Sequence, residues 1–179
     1  MIFVTVGTTS FDKLVEEVST EKFHKAAREA GYSSIRIQFG RGTVKPSAPP
    51  KSGSLPSPLA LQSYRFKPTL EEDTEAASLI ICHAGAGSIL EGLRKLKRML
   101  VVVNDELMDN HQEELASALE GKGHLTYVSQ PQQVAQQLKE VPMFRAPFRP
   151  YPPADLSPFY ERVVDLTAVP ARAENTNPH

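Results

Sequence analysis

The sequence holds a single cysteine, Cys82, in 179 residues, so no internal disulfide can staple the chain and a reducing compartment fits it. An excess of one charge is also missing: 20 Lys and Arg stand against 21 Asp and Glu, a formal net charge of −1. Phosphate neutralisation wants a basic excess, so a nucleic-acid-binding surface is not expected. No apolar run reaches the roughly 18 residues needed to span a bilayer. The opening Met1-Ile2-Phe3-Val4-Thr5-Val6-Gly7 lacks the basic front and small-residue cleavage site of a signal peptide. These absences lead to the expectation of a soluble, cytoplasmic chain whose membrane contact is borrowed from a partner or made peripherally. With 40% hydrophobic and 23% charged residues, the length suits one domain with a sizeable core and is short for two.

Several chemistries lack their motifs as well. There is no Gly-x-x-x-x-Gly-Lys-Ser/Thr loop, and Gly85-Ala86-Gly87 meets Leu90 where a dinucleotide fingerprint needs glycine. No Cys/His spacing suits zinc, no Asp-x-Asp pair is present to clamp a metal, and Ser88 has no Gly-x-Ser-x-Gly elbow around it. Neither metal nor cofactor is expected.

What is present alternates. Ile2–Val6 reads as a buried strand closed by Gly7, with Asp12 placed to cap the segment after it. Leu14–Ala30 carries helical periodicity up to Gly31, with Ser19-Thr20 as a point of interruption or re-capping. Ile35–Phe39 is a strand closed by Gly40-Arg41-Gly42, Leu61–Phe66 a short strand, and Leu70–Ala77 a short acidic helix. Leu79-Ile80-Ile81-Cys82 is the strongest strand signal, followed by a helix over Ser88–Lys95 and a strand over Met99–Val103. Asn110–Glu120 is helical, Thr126–Val128 a strand, and Pro131 a first-turn proline opening a helix. The expected fold is α/β, a mostly parallel sheet with helices on both faces. This domain covers residues 1–140, with a Pro/Ser-rich surface loop over 44–58. A Pro-rich tether (141–155), an amphipathic helix (156–168) and a disordered tail (170–179) follow.

Ligands of such sheets bind beyond the carboxyl ends of the strands. Two loops there offer phosphate-binding chemistry. Gly7-Thr8-Thr9-Ser10 supplies a residue without Cβ, hydroxyls and free N–H groups. His83-Ala84-Gly85-Ala86-Gly87-Ser88 supplies small residues and a positive helix end. Each is equally readable as a plain strand-to-helix turn, but two in one chain favour a diphosphate. Glu91 suits ribose hydroxyls, or else forms a capping box with Ser88. Asn110-His111-Gln112 suits a hydroxyl-rich ligand such as a sugar, or else Asp109 or Asn110 is an N-cap and His111 is surface.

These stretches closely resemble the cytosolic subunit of the two-chain UDP-N-acetylglucosamine transferases of dolichol-linked oligosaccharide synthesis. The matching residues are Phe3–Asp12, Gly40-Arg41-Gly42, Tyr64-Arg65-Phe66, Ile81–Glu91 and Leu107–Ala116, in order over most of residues 1–128. Wider relatives are the bacterial peptidoglycan N-acetylglucosaminyltransferases of glycosyltransferase family 28, whose C-terminal domain this chain resembles. The resemblance implies a Rossmann-like half of a GT-B glycosyltransferase. It places Gly7, Thr8, Thr9 and Ser10 with His83, Ala84, Gly85, Ala86, Gly87 and Ser88 around the diphosphate and sugar of UDP-GlcNAc. It also places Glu91 on the ribose, backbone near Arg65 and Phe66 on the uracil, and Asn110, His111 and Gln112 near the sugar. It implies a membrane-anchored acceptor-binding subunit that brings dolichyl-diphosphate-GlcNAc to the cytosolic face of the endoplasmic reticulum. The catalytic base is not identified; His83 and His111 are the candidates on this chain, and the partner or the interface is the expected place. A non-catalytic regulatory subunit and a free-standing epimerase are the competing readings, and the half-domain size opposes the epimerase. Leu96 and Arg98 stand where the family has a Gly-Lys-Pro turn, so a different entry into the Met99 strand is expected.

Overall fold

The computed structural model describes residues 1–49, 59–104, 110–140 and 149–152. Six strands form one sheet in the order β3-β2-β1-β4-β5-β6. They are β1 (Ile2–Thr5), β2 (Ser34–Gln38), β3 (Ala60–Tyr64), β4 (Leu79–His83), β5 (Arg98–Val102) and β6 (Thr126–Val128), and every pair is parallel. The helices are α1 (Asp12–Val18), α2 (Glu21–Glu29), α3 (Glu71–Ala76), α4 (Ala86–Arg94), α5 (Asn110–Gly121) and α6 (Val134–Glu140). A 3-10 turn at Pro131–Gln133 leads into α6.

Both faces of the central strands are covered, which is why β1 and β4 read as unbroken apolar runs. Period-2 alternation divides their side chains between two cores. Ile2, Val4, Leu79 and Ile81 point to the side packed by α1, α2 and α6, with Leu14, Phe23 and Leu138. Phe3, Ile80 and Cys82 point to the other side, with Ile89 and Leu93 of α4 and Ala116 and Leu119 of α5. Each fully buried Phe, Leu or Ile contributes about 1.5–3 kcal/mol relative to exposure. The edge strand β3 keeps Gln62 and Ser63 exposed, as a strand with one neighbour can.

The helix expected over Leu14–Ala30 breaks at Ser19-Thr20, where the Thr20 side chain accepts from the Phe23 N–H and caps α2. Asp12 does not cap α1. Phe11 is the N-cap, and the Asp12 carboxylate accepts from Thr43 Oγ1 at 2.6 Å and Thr43 N–H at 3.0 Å. Those bonds, with the Thr43 hydroxyl foremost, hold the Asp12 carboxyl below the ordinary range. After α4 the chain closes with Leu96 N–H to Leu93 C=O at 3.0 Å and Lys97 N–H to Gly92 C=O at 2.9 Å. This is a Schellman closure with leucine at φ +54, where glycine is usual, and β5 begins at Arg98.

Of the stretch expected as a tether, Arg149–Pro152 are described, and they lie against the domain. Arg149 N–H donates to Gly123 C=O at 3.3 Å, and Arg149 C=O meets His124 Nδ1 at 2.8 Å. The Tyr151 ring packs edge-on to His124 at 5.2 Å. Residues 50–58, 153–155, the helix expected over 156–168 and the tail over 170–179 lie outside the described residues. No described helix is long and apolar enough to cross a membrane.

Candidate functional site

The strand order reverses between β1 and β4, which run side by side with Thr5 opposite Cys82. In open α/β sheets that reversal opens a crevice at the carboxyl edge. Both glycine loops leave their strands there. Gly7 follows β1 at φ +64, and His83, Ala84 and Gly85 lead from β4 into α4.

The two loops are built against each other through His83. A Cβ on Gly7 would stand 2.8 Å from His83 Cε1, and one on Gly85 only 2.4 Å from His83 Nε2. The imidazole is therefore closed between two backbones that must lack side chains. It is 7% exposed, and its Nδ1 has no hydrogen-bond partner among the described residues. Burial pushes its pKa below the ordinary value near 6.5, with the backbone of Thr5 opposing that shift. Burial therefore favours the neutral imidazole.

Around Gly7 the turn is self-bonded. Thr9 Oγ1 donates to Val6 C=O at 2.8 Å, and Thr9 C=O accepts from Arg41 N–H at 2.9 Å. The Thr9 hydroxyl is thus taken up by the turn, while Thr8 and Ser10 are exposed. Asn104, just past β5, donates from Nδ2 to Ser10 C=O at 3.1 Å and braces the loop from the neighbouring strand end. Gly40 presses on the same loop: at φ +57, its Cβ would lie 2.3 Å from Thr9 C=O oxygen.

Helix α4 begins two residues earlier than its sequence suggests. Gly85 is its N-cap and makes no side-chain cap bond, so Ser88 is the third helical residue and the Ser88–Glu91 capping box is not formed. Its first turn also carries no acidic side chain, which leaves the positive helix end unneutralised. Gly87 lies in that turn, exposed, with nothing within 4 Å of where a Cβ would be. Glu91 follows four residues later on the same face, half-buried.

The end of β3 lies next to that of β2, with Tyr64 opposite Gln38. Beyond it, the Arg65 side chain turns away: Nη1 donates to Gly40 C=O at 3.0 Å and Gly42 C=O at 2.9 Å, and the guanidinium stacks 4.8 Å from the Phe39 ring. That side chain is thereby anchored to the Gly40–Gly42 turn while the residue stays exposed. Phe66 is 52% exposed at the rim. The loop is held down by Asp73, a fully buried carboxylate bonded by Arg36, by the Tyr64 hydroxyl and by Lys67 at 2.9 Å. Burial alone would raise the Asp73 carboxyl, but those three donors outweigh it and keep it below the ordinary range. Asn110, His111 and Gln112 open α5, beyond the end of β5; the placement of their side chains, and the preceding residues 105–109, lie outside what is described.

Three side chains of this edge carried no signal that sequence reasoning used: Thr5, Gln38 and Asn104, all buried and polar. Thr5 and Gln38 close their strands as the last residue of each, which is the position from which a parallel strand addresses a ligand.

Known proteins resemble this chain in sequence and in fold. The mouse (Mus musculus) UDP-N-acetylglucosamine transferase subunit ALG13 is 50% identical over 125 residues, 70% of this chain but 10% of that protein. The chain therefore spans about a tenth of that relative. The solution NMR structure of ALG13 superposes with a TM-score of 0.64 at 26% identity, covering 93% of this chain and 95% of that one. Acinetobacter baumannii MurG has the same fold over 40% of its length, with a TM-score of 0.59 at 22% identity and 80% of this chain covered. The sheet is thus the Rossmann-like half of a GT-B architecture. The family model of the glycosyltransferase family 28 C-terminal domain matches residues 1–158, which takes in the whole sheet and both glycine turns. This chain belongs to glycosyltransferase family 28, of which it carries the C-terminal domain.

Proposed function

We propose that this chain is the donor-binding subunit of an N-acetylglucosaminyltransferase that uses UDP-GlcNAc. The observation that carries the reading is the adjacency of the Gly7 turn and the uncapped start of α4 at the strand-order reversal. In this reading the diphosphate lies between them, where a missing Cβ at Gly87 lets the backbone come close and the helix end favours its charge. Glu91 takes the ribose hydroxyls, the backbone at Arg65 and Phe66 meets the uracil, and Asn110, His111 and Gln112 stand near the sugar.

Transfer then needs the departing UDP to be stabilised and the acceptor hydroxyl to lose its proton. Backbone donors at the two turns do the first; losing one such preorganised donor costs roughly 2.7–4 kcal/mol of barrier. For the second, His83 is closed between two glycines on the cleft floor, where burial disfavours its charged form. The base is therefore assigned to the acceptor-binding partner or the interface. That partner is a membrane-anchored subunit bringing dolichyl-diphosphate-GlcNAc, to which the second GlcNAc is added through a β-1,4 bond with inversion. The chain is cytoplasmic and is drawn to the cytosolic face of the endoplasmic reticulum by the partner, with residues 156–168 as the docking segment. The name of the mouse relative, a UDP-N-acetylglucosamine transferase subunit, supports both the donor and the need for a second chain.

The test is UDP-GlcNAc binding by the full chain alone, followed by transfer to the lipid acceptor with and without the partner. Binding alone and transfer only in the pair are expected. A chain that fails to bind UDP-GlcNAc, or that transfers unaided, contradicts the reading.

A further inference from the structure

Gln38 ends β2 with its side chain 2% exposed, beside Thr5, also 2% exposed, at the end of β1. A primary amide buried there needs its hydrogen bonds made. Thr5 Oγ1 donates to Gln38 Oε1 at 2.6 Å and accepts from Gly7 N–H at 3.1 Å. Gln38 Nε2 donates to Gly7 C=O at 2.6 Å and to Arg65 C=O at 2.8 Å. The amide has one workable orientation, because after a flip its oxygen would face two carbonyls.

Those two carbonyls decide where two N–H groups point. In a trans peptide, the C=O and the following N–H lie on opposite sides of the plane, and no described peptide is cis. Drawing the Gly7 carbonyl inward therefore turns the Thr8 N–H outward. Drawing the Arg65 carbonyl inward does the same to the Phe66 N–H. Neither N–H has an acceptor among the described residues. One of these donors stands at the diphosphate turn, the other at the base-proximal loop.

We infer that Gln38, oriented by Thr5, is a positioning residue that presents the Thr8 N–H to the diphosphate and the Phe66 N–H to the base of the donor nucleotide. The inference rests on the UDP-GlcNAc reading above. One buried amide thus ties recognition of the two ends of the nucleotide together, without touching either.

Gln38→Met keeps the side-chain length and removes both donors. In the full chain assembled with its acceptor-binding subunit, the KM for UDP-GlcNAc rises by about tenfold or more, and kcat falls as well, because the Thr8 N–H is one of the donors that stabilise the departing UDP. The reading that a merely structural role would not give comes from amide NMR of the labelled full chain titrated with UDP. In the wild type the Thr8, Phe66 and Gly87 amides all move. In Gln38→Met the Thr8 and Phe66 amides cease to respond, while Gly87 still does. Should Gln38→Met not fold, Thr5→Val preserves the branched strand residue, frees the Gln38 amide to rotate, and shows the same pattern with a smaller KM change. An unchanged KM, or Thr8 and Phe66 amides that respond as before, overturns the inference and leaves the donor site standing. If UDP moves none of the three amides in the wild type, the donor-site reading fails first and takes the inference with it.

Discussion

Gly40 and Gly87 lie at the same edge of the sheet, and they are glycine for different reasons. Gly40 has φ +57, and a Cβ there would run into the backbone oxygens of Thr9 and Gly7 at 2.3 and 2.9 Å. Gly87 is helical, exposed and open on all sides among the described residues. The fold itself demands the first. Nothing described in the fold demands the second, and in the first turn of a helix glycine has no advantage over alanine. A bare glycine beside a helix end without a side-chain cap is what close approach of a ligand would need, and the proposed diphosphate site uses it.

That difference can be pushed until it breaks. Gly40→Ala is expected to destabilise the chain most, by about 3 kcal/mol, since it joins a left-handed backbone to a clash with main chain. Urea unfolding measures it, and a loss under about 1 kcal/mol would mean that the loop simply moves aside. Gly85 is an intermediate case. Its backbone is extended and tolerates any residue, and only the His83 ring forbids a Cβ. Gly85→Ala is expected to cost about 1–3 kcal/mol, and a second change, His83→Ala, should recover much of that, giving a coupling visible in a double-mutant cycle. Strict additivity would show that the ring does not set the need. Leu96 is the converse, a left-handed position at φ +54 without glycine, and 58% exposed. Leu96→Gly is expected to stabilise by about 0.5–1 kcal/mol, as relief of the backbone exceeds the entropy that glycine brings. A lower urea midpoint would indicate that the leucine packs on something.

Much of the fold was legible because burial on both faces writes itself into composition. Leu79–Cys82 and Ile2–Val6 could hardly be anything but inner strands, and the Ser19-Thr20 break announced itself through a capping residue. Strand order was not legible, because parallel neighbours are chosen by long-range packing and not by local pattern. Helix starts were misread where a polar residue had a better partner elsewhere. Asp12 is drawn to Thr43, and Ser88 lost the capping position to Gly85, which the His83 ring keeps bare. The strand expected over Leu61–Phe66 runs instead over Ala60–Tyr64, because Arg65 leaves the ladder to meet Gln38. Of the candidate site, the glycine turns were readable from small residues after apolar strands. The Thr5–Gln38 pair and buried Asp73 were not, since their meaning depends on partners in other strands and loops.

The most direct measurement pairs unfolding stability with UDP-GlcNAc binding in Gly87→Ala, followed by transfer in the assembled complex for Gly87→Asp. With the diphosphate against the α4 start, alanine should leave stability equal or raise it by up to about 1 kcal/mol, yet weaken binding by about tenfold or more, and aspartate should abolish transfer. Near-normal binding and transfer in both variants would place the diphosphate elsewhere and contradict the site.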